Sequence, residues 1–157
     1  MLDTNVPDIL ADDPRWAGLA ARAKAAGVAC FLVTRVQLDE IARVPDPLRR
    51  SSLQASFEQI GAVLIPTAGA VWDVSRWDMA TYATEETGGG IDSHRGGGFR
   101  HKQDALIAST ASACGAILVT AETRTDAFTR SFPGLVVWSP DGLARFLLSV
   151  DVGPDSG

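Results

Sequence analysis

The sequence predicts an α/β fold, a three-layer α/β/α sandwich with a mostly parallel central sheet. Three observations predict it. Short β-rich apolar runs recur at 28–33 (VACFLV), 62–66 (AVLIP) and 117–120 (ILVT). Stretches with helical spacing of apolar residues alternate with them, the pattern of helices packed on a parallel sheet. Glycines stand where those helices should stop, at Gly27, Gly61 and Gly115.

In chain order, Met1 and Leu2 read as a very short strand ending at Asp3. A helical turn is expected over 8–11. Asp13 followed by Pro14 is an N-cap and first helical position. Trp16, Leu19, Ala20, Ala23 and Ala26 then form one helical face. After the strand at 28–33, Thr34 caps a helix in which Val36, Glu40 and Val44 recur every four residues. That spacing puts a glutamate on an apolar stripe, unusual unless its charge has a partner. Pro45 and Pro47 separate it from a helix with Leu48, Leu53, Phe57 and Ile60 facing inward, and a third strand stops at Pro66. The stretch 71–86 reads as mixed but largely helical. Trp72, Trp77, Met79 and Tyr82 serve there as core or as a partner surface. Two GGG runs enclose 91–95 in a loop without a phosphate-loop pattern. A helix then carries Asp104 near its start, and the strand ILVT delivers Glu122. Residues 123–134 read as a connection and 135–138 as a strand. Ser139 or Asp141 caps a last helix over 143–148, and 151–157 is expected to fray.

The 157 residues fit one domain, 1–150, with a substantial core. At 46% hydrophobic and 21% charged residues the chain reads as soluble and globular, not disordered. No apolar run reaches the roughly 18 residues of a membrane helix, and no secretory signal is visible, so the cytoplasm is the expected location. Cys30 and Cys114 read as buried free thiols, and two histidines without a CxxC argue against zinc. The net charge of −5 argues against broad non-specific DNA binding but leaves a focused acidic site open.

Four acids recur at comparable places: Asp3 after the first strand, Glu40 in the helix after the second, Asp104 early in a later helix, and Glu122 after the fourth strand. Carboxylates that converge repel, and a hard divalent cation offsets that repulsion, so Mg²⁺ or Mn²⁺ is the expected cofactor. Bland readings stand beside this one. Asp3 and Asp104 can cap helices, Glu40 can pair with Arg43, and Asp39 and Asp92 read as surface residues. Arg95, Arg100, His101 and Lys102 form either a solvated charge run or a basic approach to phosphates.

LDTNV at 2–6, the Glu40 helix, DALIASTA at 104–111 and ILVTAE at 117–122 resemble the PIN-domain nucleases, especially VapC-type toxins of bacterial toxin–antitoxin pairs. The resemblance implies a metal site of Asp3, Glu40, Asp104 and Glu122, with Asn5 and Thr120 orienting acids or water. Asp126 competes with Glu122 as the late ligand, because the family's TxD is TAE here. It further implies a divalent-metal ribonuclease, an RNA substrate contacted by Arg95, Arg100 and Lys102, a cognate antitoxin and a homodimer. The alternatives are an RNA-processing PIN nuclease outside a toxin system and an inactive PIN-like interaction module.

Overall fold

Helix endings, more than strand pairing, organise this chain. The structure is a computed structural model that describes residues 1–69, 99–123 and 125–150. Its elements are α1 (Val6–Asp12), α2 (Pro14–Ala25), β1 (Leu32–Thr34), α3 (Arg35–Ala42), α4 (Pro47–Gln59) and β2 (Val63–Ile65). They continue with α5 (Phe99–Ala113), β3 (Leu118–Val119), α6 (Thr125–Ser131), β4 (Val137–Trp138) and α7 (Pro140–Ser149). Most described residues are helical.

Capping accounts for several boundaries. The Asp13 side chain accepts from the Arg15 N–H ahead of Pro14, and Asp46 accepts from the Leu48 N–H ahead of α4. At α3 the Gln37 side chain reaches back to the Thr34 N–H at 2.9 Å. Ser139 caps α7 by accepting from the Gly142 N–H at 3.2 Å. Gly27 and Gly115 follow α2 and α5 at φ of 70° and 61°, a left-handed conformation that glycine adopts without steric cost.

Those endings shorten the strands. After α2, the N–H groups of Val28 and Ala29 both turn back to the Ala23 carbonyl. After α4, Ala62 turns back to Phe57, and after α5, Ala116 turns back to Ala111. Donors used this way are lost to a sheet ladder. Among the described residues, regular pairing is therefore confined to two separate two-stranded parallel sheets, β1–β2 and β3–β4. The N-terminal residues lie between them. The Leu2 N–H donates to the Leu32 carbonyl at 3.1 Å, and Leu2 forms an isolated parallel bridge with Val119.

This corrects the expected architecture. In place of a three-layer sandwich on one central sheet, the described residues form a predominantly helical structure with two small sheets. The resemblance to PIN-domain nucleases and VapC-type toxins is not sustained, since that family has a continuous central parallel sheet. Smaller expectations change as well. Residues 28–31 lie outside β1, and the connection at 123–134 contains α6. Leu48, expected inside, is 83% exposed, and both cysteines are free but exposed.

Among the described residues, two apolar clusters hold the fold. One gathers Leu2, Val6 and Leu10 with residues of α2, α4 and α7, including Leu19, Phe57 and Leu147. The other gathers Met1, Val36, Leu118 and Phe128 around Leu106, Ile107, Ala108 and Ala111 of α5. Met1 and Leu2 thus enter different clusters, as successive side chains of extended backbone do. Among the described residues no helix is long and apolar enough to cross a membrane. The aromatic stretch at 71–86, both GGG runs and 151–157 lie outside the described residues.

Candidate acidic centre

Asp3 is the most deeply placed acid of the expected set, with 5% of its surface exposed. The backbone carries it there. Its N–H donates to the Val119 carbonyl at 2.9 Å, while the Gln37 side chain donates to the Leu2 carbonyl at 2.8 Å. Gln37 is itself fully buried and ties α3 to the N-terminal segment.

Both carboxylate oxygens of Asp3 are held. Oδ1 accepts from the Thr4 N–H at 2.7 Å. Oδ2 accepts from the Thr120 hydroxyl at 2.6 Å and from Asn5 Nδ2 at 3.3 Å. Asn5 in turn accepts from the Ala121 N–H at 3.0 Å, and Thr120 Oγ1 accepts from the Glu122 N–H at 3.0 Å. Two segments distant in sequence, 3–5 and 120–122, are thereby tied around one carboxyl group.

Burial raises the Asp3 pKa above the ordinary carboxylate value. Hydrogen bonds from Thr120, the Thr4 N–H and Asn5 oppose the rise, and the nearby Glu122 charge adds to it. Glu40 joins from α3, where it is half-buried and accepts a short hydrogen bond from the Thr4 hydroxyl.

The sequence-predicted residues fall into three groups. Asp3, Glu40, Glu122, Asn5 and Thr120 are linked through the bonds above. Asp104 is half-buried in the second turn of α5, whose next turns pack in the same cluster as Met1 and Val36. Asp126 is exposed in the first turn of α6, where its charge favours the positive end of the helix. Among the described residues no group of three or more histidine, cysteine, aspartate or glutamate side chains could hold a metal ion. The expected metal cage of Asp3, Glu40, Asp104 and Glu122, or Asp126, is therefore not assembled.

The basic residues are less informative. Lys102 is half-buried on α5, the Arg100 side chain is not described, and Arg95 lies outside the described residues. Trp72, Trp77 and Tyr82, expected in the core or at a partner surface, also lie outside them. Thr4 and Gln37 are the residues that reading the sequence missed. A polar residue between two site residues, as in DTN, was the available signal for Thr4. Gln37 offered none beyond its place three residues after a capping threonine.

No protein-family model, curated protein or solved structure matches the chain. With neither the sheet nor a three-acid metal group to support it, the assignment as a PIN-family toxin ribonuclease is withdrawn, together with the toxin–antitoxin system that came with it.

Proposed function

We propose that the chain is a hydrolase that acts with Mg²⁺ or Mn²⁺ on phosphodiester bonds, with Asp3 as its central carboxylate and Glu122 as the neighbouring acid. One observation carries this reading: an acid at 5% exposure whose pKa is raised both by burial and by a neighbouring acid. A buried acid beside a second acid at low dielectric favours a cation as counter-charge. Mg²⁺ suits such a pair because it retains waters and takes one or two carboxylates, with substrate phosphate oxygens completing its shell. A three-acid cage is not needed for that.

Bound at this place, the ion would acidify a water and stabilise charge developing at phosphorus. The chain's own groups do the positioning. Thr120, Asn5 and the Thr4 N–H fix the plane of the Asp3 carboxylate, and the exposed Glu122 is available to accept a proton. A cytoplasmic location goes with this proposal, since a reducing compartment keeps the exposed free thiols of Cys30 and Cys114 reduced.

The test is hydrolysis of bis(p-nitrophenyl) phosphate and of single-stranded RNA by the purified chain, with Mg²⁺, Mn²⁺ or EDTA. Metal-dependent turnover that Asp3→Asn abolishes is the expected result. Turnover unchanged in Asp3→Asn overturns the proposal. The raised Asp3 pKa favours a second reading, a metal-free acid–base pair with Asp3 as the proton donor. Hydrolysis that survives EDTA but not Asp3→Asn selects it.

A further inference from the structure

We infer that a cavity between α1, α2 and α7 is a binding site for a short primary alkylammonium ion. α2 packs against both α1 and α7, and the cavity occupies the space left where the three helices meet. Its volume is about 70 Å³. Ile9 and Leu10 of α1, Trp16 of α2, and Leu143 and Leu147 of α7 form its apolar walls, and Asp141 of α7 also lines it. Asp3, Thr4, Asn5, Thr120 and Glu122 do not line it, so the site is separate from the acidic centre.

Size, charge and an aromatic wall choose the ligand. A dry cavity of ~150 Å³ takes a benzene ring, so this one suits an aliphatic chain of about three or four carbons. Among the described residues that line it, Asp141 carries the one ionisable side chain. That carboxylate is exposed in the first turn of α7 and has no hydrogen-bond or ion-pair partner among the described residues. The cap is Ser139, and Arg145, one turn on, forms no ion pair with it. A neutral ligand seated there takes water from the carboxylate and returns nothing, and an anion is repelled. An ammonium head replaces the lost water with a charge-assisted hydrogen bond. The half-buried Trp16 acts in the same direction, because aromatic rings attract cations. An acid in the first turn also favours the positive end of its helix. That role accounts for Asp141 but not for the apolar space beside it.

The test uses n-butylammonium, 1-butanol and pentanoate, which share a four-carbon chain and differ in the charge of the head. Each is titrated into the full chain at neutral pH and constant ionic strength, followed by ¹H–¹⁵N NMR. The ammonium should bind with Kd on the order of 10 mM and shift the Trp16 indole and the Asp141 and Ala144 amides. The alcohol should bind about 3-fold more weakly, and pentanoate more weakly still. Asp141→Asn should bring the ammonium down to the level of the alcohol, a loss of about 3-fold, as for an exposed ion pair. Ala144→Leu, which fills the cavity from α7, should abolish binding of the ammonium while circular dichroism stays that of wild type. Alcohol binding as tight as that of the ammonium, or ammonium binding unchanged in Asp141→Asn, overturns the choice of ligand. Absence of shifts at Trp16 and Asp141, or binding that survives Ala144→Leu, overturns the site.

Discussion

Two acidic groups near the start of the chain are handled in opposite ways. Asp8 and Asp12 lie on α1 and share Arg49 of α4, which donates from Nε to Asp8 at 3.1 Å and from Nη1 to Asp12 at 2.6 Å. Their side chains stay 50% and 65% exposed, so water supports whatever the arginine does not. Asp3, a few residues earlier, is buried, is held by hydroxyl, amide and backbone donors, and lies near another acid. The first group neutralises charge at the surface and ties α1 to α4. The second puts an ionisable group where solvent cannot stabilise its charged form, which costs stability and is a reason to look for function there. Acid content alone does not separate the two; burial and the kind of donor do.

The sharpest way to break the contrast is to remove charge from each side. Asp3→Asn should lower phosphodiester turnover by about 10²–10⁴-fold, the span for a positioned acid–base group. Arg49→Gln should leave turnover intact. Comparable losses in steady-state kinetics would erase the distinction.

Stability tests the next level. Thr120→Val removes the shortest donor to Asp3 Oδ2, leaves Asn5 Nδ2 in place, and should cost about 0.5–1.5 kcal/mol in urea unfolding, the net worth of one hydrogen bond. Loss of the helical signal without denaturant would mark a larger role for Thr120 in joining the N-terminal segment to the residues after β3.

The pH dependence follows from the raised Asp3 pKa. A folded-state pKa above the unfolded value means that the native state binds more protons. The resulting stability is fully present below the unfolded value of about 3.8 and is lost as pH rises through the folded one. Measured in EDTA, wild type should therefore lose ground against Asp3→Asn as pH rises, and the difference should shrink in acid. Parallel pH curves for the two proteins would contradict the burial argument.

The smallest effect belongs to the surface group. Arg49→Gln should change stability by no more than about 1 kcal/mol, and less at high salt, as exposed ion pairs do. Arg49 is held in its charged form first by its hydrogen bond to Asp12 and then by Asp8, so no pH dependence near neutrality should arise from it. A salt-independent loss of several kcal/mol would show that α1–α4 docking depends on this network.

Reading the sequence located the helix caps at Asp13 and Thr34, narrowed the last to Ser139 or Asp141, and placed the glycine stops at Gly27 and Gly115. These rest on the chemistry of one or two adjacent residues. It also singled out Asp3, Glu40, Asn5, Thr120 and Glu122, which the fold does link. It overstated the sheet, because apolar β-rich letters at 28–31 and 62 do not reveal that Val28, Ala29 and Ala62 return their N–H groups to helix carbonyls. It overstated the metal cage for a related reason, since order along a chain does not fix distances between side chains on different elements.

The sequence by itself determined the caps and glycine stops of several helices and which acids merited attention, since both depend on local residue chemistry. Only the tertiary structure decided that strand pairing stays confined to two small sheets, that Asp3 is buried while Asp126 is not, and that Thr4 joins Asp3 to Glu40. Those outcomes depend on competition for backbone donors and on burial, and both are settled by contacts between segments far apart in the chain.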